Sequence, residues 1–403
     1  MTGKHPEPVR KTAGARVLGA FSLALIVLWV AWWIKSIEQD SLVYGNHTWA
    51  SPLPFLAGDF KVHIDHTARI LVAGINPYRL TDDWVCASFP YPPVIPRLFA
   101  WVALVSTPVA IRIWLGAVSV FLGIAAVAAW RTRRALGLWP VPLSALAVAL
   151  IYSTPAVLAM ERGQCDPLVI PAMLAVAWLA RKDSTGRQLA AGGLLGVAAW
   201  IKYYPGLAVF GLLALKRWKA AAVFVVVAGL IGLVDRVEVR QSIENGKKLA
   251  HGISSTPRVL PTVHSLVSCW KAWPVVRANR PLRKIPPPVA AGLLLVPALV
   301  GVSRQVARSR DVAPLIAPYL LWLTAAATFA MPYAIDYNLI PLPLAALCVW
   351  DRRDPVLVHI AMGLLLLWWQ PIALDVSGNV LLVAKLGGLY AVGYSLACRA
   401  RKR

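Results

Sequence analysis

Apolar runs close to the length of a bilayer crossing recur along this chain from residue 16 to residue 397, and short basic clusters punctuate them. Roughly 20 apolar residues suffice for a helix to cross the hydrocarbon core. Backbone that faces lipid must satisfy its own hydrogen bonds, so the expected fold class is an all-α integral membrane protein. Composition supports this. Of 403 residues, 58% are hydrophobic and only 15% charged, too few to clothe a soluble protein of this size. Eighteen Trp suit the aromatic belts at membrane interfaces.

The net charge of +23 does not mark a nucleic-acid binder, because the basic residues are not gathered into one aromatic-interleaved domain. They cluster instead at Arg131/Arg133/Arg134, Arg181/Lys182/Arg187, Lys216/Arg217/Lys219, Arg304/Arg308/Arg310, Arg352/Arg353 and residues 399–403. Short loops rich in Lys and Arg stay cytoplasmic, so these clusters and the N-terminal stretch are expected inside. Pairs of apolar runs lie between them, at about 112–130, 140–159, 167–180, 188–201, 204–215, 220–234, 288–303, 312–331, 337–350, 355–371 and 376–397. With an uncleaved first helix at 16–34, the expectation is about twelve crossings with both termini cytoplasmic. Residues 98–107 break the count and read as a surface-lying or half-membrane segment. The chain reads as one membrane-embedded domain, 1–403, with a cytoplasmic tail at 1–15 and two long outer loops at 35–97 and 236–287.

Every chemically unusual segment then falls on the outer side: 35–97, 161–167, 202–205, 236–287 and 332–338. That convergence points to an extracytoplasmic site. In the first loop Asp59 follows Gly58 and precedes a mixed, partly amphipathic stretch, 60–72. A carboxylate at a low-dielectric membrane edge suits a general base. Asp also caps helices, and both roles stay open. His63 and His66 flank Asp65 but lack a third and fourth ligand, so they read as solvated or hydrogen-bonded rather than metal-bound. Five Cys show no metal spacing, and pairing of Cys86 with Cys269 is disfavoured.

Arg162 and Asp166 flank a Gly-Gln turn between two spans. Membrane-edge charges point to function, while a structural pair of Arg162 with Asp166 or Glu161 is an equal alternative. Lys202 either meets a phosphate or snorkels to headgroups. The loop 236–287 carries ten Lys and Arg, which attract anionic headgroups. Within it His264 is placed to contact phosphate or to serve structurally.

The order GDF, GINPY, FPYPP, ERGQCDPL, KYYPGL, VHSLVSCW and NLIPLPLAAL resembles glycosyltransferase family 87, enzymes of the GT-C fold that include mannosyltransferases extending phosphatidylinositol mannosides and related arabinofuranosyltransferases. The resemblance implies a GT-C polytopic bundle and transfer from a polyprenyl-phosphate sugar, most readily mannose, to a glycolipid or glycan hydroxyl. It implies no metal or cofactor. Asp59 matches the family's catalytic acid residue; Lys202, Arg162 and His264 would meet the donor phosphate; Asn76, Tyr78, Tyr91, Asp166, Tyr203 and Tyr337 would line the substrates. Many members carry His near the last outer turn, where this chain has Asp336 and Tyr337. The competing class is a transporter or lipid flippase, which usually shows repeated halves and polar gates on both sides. No such repeat is visible here. A non-enzymatic scaffold would leave Asp59 dispensable.

Overall fold

The computed structural model describes residues 13–39, 56–80, 82–83, 85–86, 89–254, 264–332, 334–367 and 378–403, and among them no β-strand occurs. The chain is an all-α membrane protein. Each of the twelve apolar runs coincides with helix. In order these are α1 (Ala13–Gln39), the short loop helices α2 (His66–Val72) and α3 (Val94–Leu98), α4 (Thr107–Ala135), α5 (Leu143–Ile151), α6 (Thr154–Arg162), α7 (Val169–Ala180), α8 (Thr185–Ala198), α9 (Ala208–Ala214) and α10 (Trp218–Val234). There follow α11 (Arg236–Ser254), α12 (Leu266–Cys269), α13 (Pro287–Arg308), α14 (Ile316–Ala330), α15 (Pro341–Val349), α16 (Val356–Leu367) and α17 (Gly378–Arg401).

Five helical stretches are long and apolar enough to cross a bilayer unaided: Arg16–Ser36, Thr107–Ala135, Pro287–Arg308, Ala313–Ala330 and Val380–Arg401. The pair α5 and α6 bends by 60° at its break, and α10 turns by 92° into α11. Asp166–Ala180, Tyr204–Ala214 and Val356–Leu366 are apolar but shorter. Short helices are tolerated at membrane depth where their ends are buried in protein. Residues 98–107, expected to lie off the spanning count, hold the end of α3 and a 3-10 turn, Ala100–Leu104.

The core is built around α14, whose residues from Ile316 to Phe329 are all buried. It packs against α7, α9, α13, α15 and α17, and the Trp322 indole N–H donates to Leu389 O at 2.8 Å. Facing lipid instead of a core, α1 exposes Val17, Phe21, Leu23, Val27 and Leu28. Such outward apolar surface costs nothing in hydrocarbon, whereas in water a patch of this extent would be a liability.

Two sets of charged contacts brace the bundle. In one, Arg133 donates to the carbonyls of Leu347 (3.0 Å), Trp350 (2.6 Å) and Trp139 (2.9 Å), while Arg399 meets Asp354 at 2.6 Å and Arg403 meets Asp311 at 2.6 Å. In the other, Arg97 grips Asp235 with both terminal nitrogens (2.5 and 2.7 Å), which holds the sharp turn into α11. The segment from residue 236 thus opens as a 19-residue helix rather than as irregular chain. Cys86 and Cys269 are both buried free thiols.

Helices α8 and α10 approach most closely at Gly192, where an added Cβ would collide with the Ala220 backbone. Small residues at such crossings let backbones pack in the absence of a hydrophobic drive between lipid-immersed helices. Gly192→Leu is therefore expected to destabilise the bundle by about 1–3 kcal/mol. Thermal unfolding in detergent checks this; an unchanged midpoint would show that the two helices separate freely.

Candidate active site

The site starts from a backbone arrangement that only certain residues permit. Gly163 ends α6 in the left-handed region (φ 64°), and a Cβ there would lie 2.7 Å from Phe60 Cβ and 3.0 Å from Ala57 Cβ. The segment Ala57–Phe60 is therefore pressed directly onto the turn after α6. Ala57, itself at φ 54°, donates its N–H to Glu161 O at 2.7 Å. Phe60 stacks beside Trp114 with ring centroids 6.4 Å apart, and the Trp114 indole donates to Gly163 O at 3.1 Å. These contacts fix the residue between them, Asp59.

Asp59 is 4% exposed. Its two carboxylate oxygens accept from Arg162 and from the Gln164 amide, one oxygen each. Its side chain caps no helix, so the capping role open from sequence does not hold. The reason is steric order: the chain after Asp59 is already helical backbone, continuing as a π-helix (Phe60–Asp65), and the carboxylate points across to the neighbouring turn. Arg162 pairs with Asp59, and Asp166 pairs with Lys202.

From Gln164 the network runs on. The Tyr91 hydroxyl donates to Gln164 Oε1 at 2.7 Å, and the Lys202 ammonium sits 4.2 Å above the Tyr91 ring. Lys202 Nζ lies 3.1 Å from Asp166 Oδ2, inside the protein rather than at headgroups. Asp166, with no side-chain exposure, also accepts from the Tyr204 hydroxyl (2.8 Å) and the Asn338 amide (2.5 Å). A cation–π contact and buried ion pairs of this kind are strong in low dielectric, and breaking one by removing a partner typically costs about 3–5 kcal/mol.

A second cluster adjoins the first through one 3-10 turn, Asp336–Leu339. Asn338 reaches Asp166, while Asp336 faces the Lys385 ammonium at 2.6 Å and His264 Nδ1 at 3.4 Å. His264 Nε2 pairs with the Thr328 hydroxyl at 2.8 Å. The hydroxyls of Ser265 and Ser268 donate to the carbonyls of Met331 and Pro332, tying α12 to this turn. Burial holds the His264 imidazole below its ordinary pKa, with Asp336 opposing.

Five of the residues singled out from sequence, Asp59, Arg162, Tyr91, Lys202 and Asp166, thus share one hydrogen-bonded network, and His264 stands in the adjoining cluster. Three others carry the frame. Asn76 caps the short turn Pro77–Arg79 and donates to Glu238 at 2.6 Å; the Tyr78 hydroxyl donates to Tyr91 O at 2.8 Å; the Tyr203 hydroxyl meets Ser242, which in turn donates to Pro90 O at 2.8 Å. The side chain of Tyr337 lies outside the described residues.

Gln164, Tyr204, Asn338, Lys385 and His63 join the site without having been singled out. Lys385 left a signal, a lone cation inside an apolar run, which by itself argues for function. His63 left none, since its sequence suits a solvated or hydrogen-bonded histidine; its ring centroid lies 6.4 Å from that of Tyr91 and its Nδ1 is buried without a hydrogen-bond partner. Burial lowers its pKa, with Asp59 pulling the other way. A π-helix turn of the kind that carries His63 is often found at functional sites.

Chemically, the arrangement offers an enclosed carboxylate flanked by two cations. Arg162 and Lys202 keep 11% and 14% of their side-chain surface open, so each is charge-balanced yet still able to meet an anion.

No curated protein and no solved structure matches the chain. Residues 89–237, which supply Tyr91, Arg162, Gln164, Asp166 and Lys202 to this network, match the family model of Glycosyltransferase family 87. Over that stretch this membrane protein is similar to glycosyltransferase family 87.

Proposed function

We propose that this membrane glycosyltransferase moves a sugar, mannose ahead of arabinofuranose, from a polyprenyl-phosphate donor to a hydroxyl of a glycolipid or glycan acceptor. The reaction takes place on the extracytoplasmic face, inverts the anomeric centre and needs no metal. The observation that carries this reading is the grip of Arg162 and Gln164 on the buried carboxylate of Asp59, beside the pair of Lys202 and Asp166. The lipid-linked donor and the sugar are inferred from the resemblance to family members.

Asp59 accepts the acceptor hydroxyl proton while that oxygen forms a bond to the anomeric carbon. The bond from the anomeric carbon to the phosphate oxygen breaks at the same time, and its electron pair leaves with the phosphate. Phosphate is a good leaving group already, so cations suffice for it and no acid is required. Arg162 and Lys202 are the nearest charges to that developing negative oxygen, and fixed charges in a dry site need no rearrangement as it forms. Arg162 also orients the Asp59 carboxylate, so one guanidinium links the base to the leaving group. The cluster of His264, Asp336 and Lys385 closes the far wall.

Replacing Asp59 with Asn in purified protein should lower transfer from labelled polyprenyl-phosphate mannose by about 10²–10⁴-fold. Retained helical circular dichroism and a monodisperse elution profile would show that the variant folds; near-normal transfer from such a sample removes Asp59 as the base. A panel of labelled donors assayed in parallel identifies the sugar.

Lys202→Gln is expected to reduce kcat/KM for the donor by at least ~10-fold, with Lys202→Arg retaining most of it. Equal rates for the two variants would assign Lys202 to holding Asp166 alone.

Orientation is tested by single cysteines on exposed positions. Arg280→Cys should react with a membrane-impermeant maleimide in intact cells, and Arg134→Cys only after the cells are broken. The reverse pattern would move the site to the cytoplasm and end the lipid-donor reading.

A further inference from the structure

Beside the transfer site, three side chains of the first outer loop come together for which the proposed reaction has no use. His66 opens α2, and the chain returns 17 residues later to place Asp83 against it, His66 Nε2 to Asp83 Oδ2 at 2.7 Å. Cys86 completes the group: one ligand atom from each of His66, Asp83 and Cys86 lies within 4.8 Å of the other two. The two histidines of this loop looked short of ligands because the missing ones are distant in sequence.

The carboxylate is held for the purpose. Asp83 Oδ1 accepts the backbone N–H groups of Val85 (2.8 Å) and Cys86 (3.2 Å), which turns Oδ2 towards the imidazole. The same turn sets the Cys86 side chain beneath. Cys86 is 1% exposed, while the His66 and Asp83 side chains keep 39% and 25%. A thiol therefore forms the floor, and an imidazole and a carboxylate form a rim open to solvent. In a zinc site, metal–nitrogen bonds of about 2.0 Å and metal–sulfur bonds of about 2.3 Å place tetrahedral neighbours roughly 3.3–3.8 Å apart. The three groups stand within about an ångström of that spacing.

We propose that His66, Asp83 and Cys86 bind one divalent transition-metal ion of the zinc class, with a solvent molecule as fourth ligand. The mixed nitrogen, oxygen and sulfur donors select such a borderline ion over magnesium or calcium, which take oxygen ligands. Binding replaces the hydrogen bond between His66 and Asp83 with two metal bonds. It also exchanges the thiol proton of Cys86, released to solvent, for a metal–sulfur bond; no redox change is involved. The ion would tie the Asp83 and Cys86 segment to α2, and so fix the path of the chain into Phe89 and Tyr91, whose rings pack 5.1 Å apart at the edge of the site. This metal has no part in the sugar transfer, and the proposal stands apart from that reading.

Cobalt(II) reports it directly. Full-length protein in detergent, stripped with a chelator and titrated with cobalt(II), should develop a thiolate-to-cobalt charge-transfer band in the near ultraviolet that saturates at about one equivalent and is displaced by zinc. Cys86→Ser should abolish the band, and His66→Gln or Asp83→Asn should weaken cobalt binding by at least ~10-fold. Asp83→Asn keeps an oxygen for the Val85 and Cys86 amides, so it separates ligand loss from loop unfolding. No charge-transfer band in the wild type, or an unchanged band in Cys86→Ser, overturns the proposal and leaves an ordinary ion pair of His66 with Asp83.

Discussion

A carboxylate taken out of water must be matched by charge or hydrogen-bond donors, and the candidate site is organised around that requirement at Asp59. The demand is met from a different part of the chain, by Arg162 and Gln164 on either side of Gly163. That pairing explains why the turn after α6 needs a glycine, why Ala57 accepts an unusual backbone angle and why Phe60 lies flat beside Trp114. Backbone strain and aromatic packing both serve to deliver one acidic group to two donors.

The same logic repeats twice. Asp166 is balanced by Lys202, and Asp336 by Lys385 with His264 beside it. Buried ion pairs are poor sources of net stability, because desolvation offsets most of the attraction. Three of them gathered at one end of a bundle, with well-packed apolar alternatives available throughout the rest, are better understood as a preorganised field for charged substrates. Elsewhere Arg399 and Asp354 form an equally buried pair, and Arg133 satisfies the carbonyls of Leu347, Trp350 and Trp139.

The fold was largely legible because its signal is long. Twelve apolar runs and the basic residues between them mark helices at nearly the right boundaries, and even the odd segment 98–107 proved to be a short turn rather than a span. What the runs do not reveal is which helices are long enough to cross unaided, since Asp166–Ala180, Tyr204–Ala214 and Val356–Leu366 are apolar but short. The site was legible in part. Asp59, Arg162, Asp166 and Lys202 stood out as charges at membrane edges. Their partners did not: Gln164 and Asn338 are ordinary amides until a carboxylate faces them. The capping role open to Asp59 does not hold, because capping is judged from local sequence and Arg162 lies 103 residues away. For His66 and Asp83 the same distance problem hid a contact within a single loop.

The short turn Asp336–Leu339 has a mechanical meaning. It grasps Asp166 with one side chain and Lys385 with another, two residues apart, while its own start is clamped by the Asn338 carbonyl oxygen on the Ile335 amide at 2.9 Å. The pairs Asp166–Lys202 and Asp336–Lys385 thereby meet at one short turn. A displacement of this turn would therefore change the surroundings of both carboxylates at once, so neither charge can be retuned without the other.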